Sequence, residues 1–162
     1  MSLLSIEQLL EQAVILETRG EEFFRNWVGK TNSDDLDKFF AFLADEESQH
    51  KENFETLKKK IIGNSPMKEI PAEHVDYFRT LADDILFNNE EVKTIDNLLS
   101  AIELAKKQEL DSILFYTDIQ TYLPEGHEEI FNNIINEERN HYVKLAELEK
   151  KLVNSKYKKG GI

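Results

Sequence analysis

The chain has no cysteine, which excludes disulfides, thiolate metal sites and thiol redox chemistry within it. Proline is almost as scarce, at three of 162 residues, and glycine contributes only six. Long segments therefore run without a residue that stops a helix. Basic residues are in deficit too: 20 Lys and Arg face 32 Asp and Glu, a formal charge of -12. That field draws cations and basic partners and repels a phosphate backbone, so nucleic-acid binding is not expected. No apolar run approaches the roughly 20 residues of a membrane span. The start, MSLLSIEQLLEQ, has no basic stretch before its apolar residues and soon carries Glu7 and Glu11, unlike a secretion signal. A soluble, cytoplasmic protein without membrane contact is expected. The length suits one domain, which at this size buries about two-thirds of its unfolded surface.

What is present is a repeated helical stripe with carboxylates inside it. Phe131, Ile134, Glu138, His141, Leu145, Leu148 and Leu152 fall at spacings of three and four, which is one face of one helix. Leu36, Phe40, Leu43, Glu47, His50, Phe54, Leu57 and Ile61 make a second such stripe. Each buries a Glu-x-x-His pair. An unpartnered carboxylate in an apolar stripe costs several kcal/mol, so something must compensate these.

In chain order, Ser5 is expected to cap a first helix, with Gln8 completing a capping box. Its stripe of Leu10, Ala13, Glu17, Gly20, Phe24 and Trp27 is again interrupted by a glutamate, and it ends near Gly29 and Lys30. Ser33-Asp34-Asp35 starts the second helix, which stops at Gly63-Asn64 after the basic turn Lys58-Lys59-Lys60. Asn64 to Lys93, with Pro66 and Pro71, reads as a long crossover in which Pro71 opens a short helix to about Phe87. Thr94 is expected to cap the third long helix, whose inner face holds Leu98, Ile102, Ala105, Glu109, Ile113, Tyr116 and Ile119. Pro124-Glu125-Gly126 separates it from the fourth. The expectation is an all-α four-helix bundle over residues 1–155: two helical hairpins joined by a crossover with a short helix. Residues 156–162 are expected to form a frayed basic tail.

The two hairpins repeat one another. Glu17 and Glu109 are 92 residues apart, as are Phe24 and Tyr116, while Glu47 and Glu138, and His50 and His141, are 91 apart. Four helices thus carry glutamate, glutamate-x-x-histidine, glutamate, glutamate-x-x-histidine, an arrangement that holds two metals in a bundle core. Four carboxylates balance two divalent ions, and carboxylate with imidazole but no thiolate suits iron or manganese, with zinc as a substitute. An ion-pair network is the plainer alternative, but no Lys or Arg occupies an inward position of these stripes. Glu46 and Glu137 read as exposed helix charges or as acceptors that orient the imidazoles. Tyr116 and Tyr122 read as core filling, or as hydrogen-bond donors or radical sinks near the metals. His74 and His127, away from any stripe glutamate, read as ordinary packed or surface histidines.

The runs Leu43-Ala44-Asp45-Glu46-Glu47-Ser48-Gln49-His50 and Ile135-Asn136-Glu137-Glu138-Arg139-Asn140-His141, with Glu-Leu-Asp-Ser-Ile-Leu-Phe-Tyr from Glu109, resemble the ferritin-like superfamily and within it the rubrerythrin branch. The resemblance spans Leu3 to Val153. It implies that Glu47 and Glu138 bridge two irons, that Glu17 and Glu109 are terminal ligands, and that His50 and His141 complete one ion each. It further implies reduction of hydrogen peroxide or dioxygen, and a homodimer. Full-length rubrerythrins append a four-cysteine rubredoxin module, absent here, so electrons would come from a separate rubredoxin-like donor. The family pattern also has glutamate three residues after the third-helix ligand, where this chain has Ser112, and often after the fourth-helix ligand, where it has His141. Iron storage and diiron hydroxylation are the alternative functions.

Overall fold

The computed structural model describes residues 5–63, 68–87 and 97–159. Among these are five α-helices and no strand: α1 (Ile6–Trp27), α2 (Asp34–Ile61), α3 (Ala72–Phe87), α4 (Leu98–Gln120) and α5 (Glu128–Lys159). Local signals set most of the boundaries. The Ser5 side chain accepts from Gln8 N while Gln8 Oε1 accepts from Ser5 N, closing the expected box. Ser33 caps α2. Past the ends of α1 and α2, Gly29 and Gly63 take φ of 83° and 86°, left-handed values that glycine alone adopts without cost and that end a helix.

Three boundaries differ from the sequence reading. The cap of α4 is Asn97, whose side chain accepts from Ser100 N; Thr94 lies outside the described residues. Asx side chains compete for such positions as well as Thr does. Helix α4 ends at Gln120, short of Pro124, because Tyr122 N and Leu123 N turn back to Ile119 O and Gln120 O. Helix α5 continues to Lys159, beyond the expected start of the tail.

Helices α1 and α2 pack as one hairpin and α4 and α5 as another, with α1 facing α4 and α2 facing α5. The short helix α3 lies against α1 and α4. The turn between α1 and α2 is tied by Thr31, whose hydroxyl donates to Asp37 Oδ1 at 2.7 Å and accepts from Ser33 N at 3.2 Å. No described helix is long and apolar enough to cross a membrane.

The apolar core is divided in two. One cluster gathers Leu10, Ala13, Phe54, Leu57, Phe78, Phe115, Tyr116, Phe131 and their neighbours toward the α3 end. The other gathers Phe24, Trp27, Phe40, Leu43, Ala105 and Leu145 at the opposite end. On every long helix a glutamate falls between the two clusters. The first cluster is keyed by Phe54, fully buried, with ring centroids 4.9 Å from Tyr116 and 5.2 Å from Phe131. Truncating such a ring costs about 3–5 kcal/mol, a large part of the roughly 5–15 kcal/mol that holds a domain folded. Phe54→Ala is therefore expected to lower the urea midpoint strongly, whereas a shift no larger than that of an exposed-site control would show that the ring is not a keystone of the hairpin contact.

Candidate metal centre

The layer between the two clusters consists of Glu17 from α1, Glu47 and His50 from α2, Glu109 from α4, and Glu138 and His141 from α5. None is more than 5% exposed. The i, i+3 spacing sets each Glu and His of a pair on one face of its helix, and that face continues the apolar stripe, so burying the stripe buries the pair. All six side chains foreseen from the sequence are brought together.

Ligand atoms of Glu17, Glu47, His50 and Glu138 lie within 4.8 Å of one another, as do those of Glu47, Glu109, Glu138 and His141. Glu47 and Glu138 belong to both sets. The two imidazoles stack, centroids 5.8 Å apart and planes at 24°. His50 Nδ1 is 3.2 Å from Glu138 Oε1 and 3.5 Å from Glu17 Oε2. His141 Nδ1 is 3.2 Å from Glu138 Oε2 and 3.4 Å from Glu47 Oε1. Both rings turn Nδ1 inward and Nε2 outward.

The donor set fits metal binding. His50 Nδ1, Glu17 Oε2, Glu47 Oε1 and Glu138 Oε1 are buried without a hydrogen-bond partner, a costly state for polar atoms that a shared cation would relieve. No lysine or arginine is buried among the described residues, so no fixed cation supplies that charge.

The Rubrerythrin family profile matches residues 8–149. The chain belongs to the rubrerythrin family. No curated protein matches it. Among solved structures, it is similar to a candidate ferritin-like diiron-carboxylate protein from Thermotoga maritima, at 22% identity and TM-score 0.67, covering 93% of this chain and 97% of that one. A hypothetical protein from Pyrococcus furiosus aligns at 19% identity and TM-score 0.69, covering 93% and 91%. At those identities the likeness speaks for the fold, which is the ferritin-like bundle.

Around the six residues of this rubrerythrin lies a partial second layer. His50 Nε2 donates to Glu137 Oε2 at 2.8 Å, and Glu46 Oε2 stands 4.0 Å from His141 Nε2. Both approaches cross the α2/α5 contact: Glu137 of α5 reaches His50 of α2, a contact suited to orienting that imidazole, while Glu46 of α2 stays beyond hydrogen-bond reach of His141 of α5. The Tyr116 hydroxyl donates to Glu17 Oε1; the repeat puts Phe24, without a hydroxyl, at the matching position of the other half. His74 and His127 stay outside the cluster; His74 pairs with the Tyr122 hydroxyl.

Metal-free, the layer is governed by burial and mutual charge. Burial pushes the Glu47 carboxyl well above its usual range, reinforced by the charges of Glu138 and Glu17. Glu109 moves the same way through burial, then Glu138 and Glu47. Burial disfavours the charged imidazoles, but the adjacent carboxylates outweigh it: Glu138 and Glu17 raise His50, and Glu138 and Glu47 raise His141 to about 9. Glu138 is also penalised by burial, yet His141 and His50 hold it below its usual range. Protons thus occupy the place of cations.

These shifts fix the sign of the pH dependence. Folded Glu47 and Glu109 keep protons above 4.5, where the unfolded chain loses them, so their contribution falls as pH rises from that point. The His141 contribution is complete below 6.5 and lost through about 9, and His50 adds to the same trend. Glu138 acts oppositely, but only below 4.5. The metal-free protein is expected to lose stability from mildly acid to alkaline pH, while the metal-loaded protein loses it toward acid as protons compete for ligands. Urea midpoints of both forms at about pH 5.5, 7.5 and 9.5 test this; a metal-free midpoint that climbs with pH contradicts it.

Gly20 has a role that the stripe did not reveal. A Cβ built there would stand 3.0 Å from Glu47 Oε2 and 3.3 Å from its Cδ, so the glycine gives room for a carboxylate common to both ligand sets. Alanine would favour the helix by up to about 1 kcal/mol but push that carboxylate away. Gly20→Ala is expected to leave metal-free stability equal or higher and to weaken metal binding, read by cobalt titration in the visible spectrum. Undiminished cobalt affinity would show that Glu47 needs no such clearance.

Proposed function

We propose that this rubrerythrin binds two iron ions and reduces hydrogen peroxide or dioxygen with electrons from a separate donor protein. The observation that carries the reading is the pair of overlapping four-residue sets sharing Glu47 and Glu138. In this reading Glu47 and Glu138 hold both ions, Glu17 and His50 complete one, and Glu109 and His141 the other. Manganese or zinc would fit the same donors. A ferrous pair supplies two electrons, which with two protons convert one hydrogen peroxide to two waters.

The protein's own part is binding and orientation. Glu137 takes the outward Nε2–H of His50 and so leaves Nδ1 as the inward ligand atom. Tyr116 fixes the Glu17 carboxylate through one oxygen and leaves Oε2 without a hydrogen-bond partner. The apolar clusters above and below limit water around the site. Glu137, with a side chain 47% exposed, links the buried His50 to solvent and gives protons a way in. Ser112 stands where the family pattern has a further glutamate, so the chain offers six ligands rather than seven.

With no cysteine to carry electrons, a purified ferrous protein is expected to bind two irons per chain, oxidise once with peroxide, and stall until a rubredoxin-like donor and its reductase are added. Elemental analysis and single-mixing absorbance measure this. One iron or none after anaerobic reconstitution, or steady turnover on NADH alone, contradicts the proposal. Loading far beyond two irons in a large assembly would favour storage instead.

A further inference from the structure

The two overlapping ligand sets are alike in kind. Each has three carboxylates and one imidazole, and both include Glu47 and Glu138. Donor chemistry therefore does not rank them, and a preference can come only from how each set is held and what its ligand atoms already bond. On both counts the sets differ.

Glu17 and His50, which belong to the first set alone, are each held from outside. The Tyr116 hydroxyl donates to Glu17 Oε1, and Glu137 Oε2 accepts from His50 Nε2 at 2.8 Å. The other polar atom of each residue, Glu17 Oε2 and His50 Nδ1, is buried without a hydrogen-bond partner. Glu138 Oε1, 3.2 Å from His50 Nδ1, is unpartnered too. Such atoms have lost water and gained nothing in its place. An ion that takes them displaces no hydrogen bond.

Glu109 and His141, which belong to the second set alone, have no fully buried atom in that state. His141 Nδ1 shares a hydrogen bond with Glu138 Oε2 at 3.2 Å, so an ion that takes Nδ1 must first break it. From outside, Glu46 Oε2 stops 4.0 Å from His141 Nε2, too far for a hydrogen bond. The ring meets the apolar Phe42 there instead, with planes at 83°. Glu47 Oε1, unpartnered and 3.4 Å from His141 Nδ1, is the one such atom that leans toward the second set.

We infer that the two sets fill in order, with the Glu17–His50 set taking the first ion, and that Glu137 is the positioning residue behind that order. The inference rests on the two-metal reading above. Glu137 holds the His50 ring by its outward nitrogen, so little freedom is lost when Nδ1 becomes a ligand. His141 has to give up its bond to Glu138 and be oriented at the same time.

The test adds zinc to the metal-free full chain and follows the ring nitrogens of the histidines by nuclear magnetic resonance, with His74 and His127, outside the cluster, as references. Two ions that share Glu47 and Glu138 repel one another, so unequal affinities alone would not show which set fills first. The two rings report it separately. The first equivalent is expected to move the Nδ1 signal of His50 and the second that of His141. Glu137 has a half-exposed side chain, so Glu137→Ala spares the core; it is expected to weaken the first step by about 10-fold in competition with a coloured chelator, and to remove the lead of His50. Glu137→Gln, whose amide oxygen accepts the same bond, recovers most of that loss, and Glu46→Ala changes neither step. His141 moving first, or both rings moving together in the unaltered protein, overturns the order. A Glu137→Ala protein in which His50 still leads with undiminished affinity overturns the role of Glu137. Either result leaves the two-metal reading standing. Excess zinc that moves only one of the two rings, or neither, overturns that reading itself.

Discussion

Four carboxylates forced into the interior of a helical bundle are the constraint on which the rest of this structure depends. Each would be ruinous alone in an apolar core, and together they repel. The fold tolerates them because they share two imidazoles, a tyrosine hydroxyl and, metal-free, a set of retained protons. Cations fit the same place, since the unpartnered oxygens of Glu17, Glu47 and Glu138 belong to the two ligand sets.

The division of the core follows from that layer. Apolar contact above and below it does the work of folding, while the layer itself contributes specificity of register: sliding one helix by a turn would bring a glutamate against Phe54 or Phe40 rather than against an imidazole. Gly20 shows how closely the register is set, since even one methyl group on α1 would meet the Glu47 carboxylate. Surface pairs such as Arg25 with Asp45, 2.6 Å apart across α1 and α2, are largely solvated and contribute little by comparison.

The repeat makes the two halves similar without making them equal. Glu17 has the Tyr116 hydroxyl, whereas the matching position beside the other half is Phe24. His50 is bonded to Glu137 at 2.8 Å, whereas Glu46 stands off at 4.0 Å from His141. The side of Glu17 and His50 is therefore the more fully hydrogen-bonded from outside the six residues. The differences lie in one hydroxyl group and in how near each outer carboxylate comes to its imidazole.

Much of this was legible in the sequence because a helix is a local object. Spacings of three and four put Glu17, Glu47, His50, Glu109, Glu138 and His141 on buried faces, and the doubled Glu-x-x-His brought them to one layer. The same local rules found the Ser5 and Ser33 caps and the helix after Pro71, and missed only at ends where several residues compete, such as Thr94 against Asn97. What periodicity does not encode is distance between helices and the rotation of each side chain about its bonds. The crossing of Glu137 to His50, the hydroxyl of Tyr116 on Glu17 and the clearance at Gly20 each join residues on different helices, and the contact of Phe78 with Tyr122 joins α3 to the turn after α4. They were decided by how the hairpins pack, because only close packing of whole helices converts a shared face into contacts of a few ångströms.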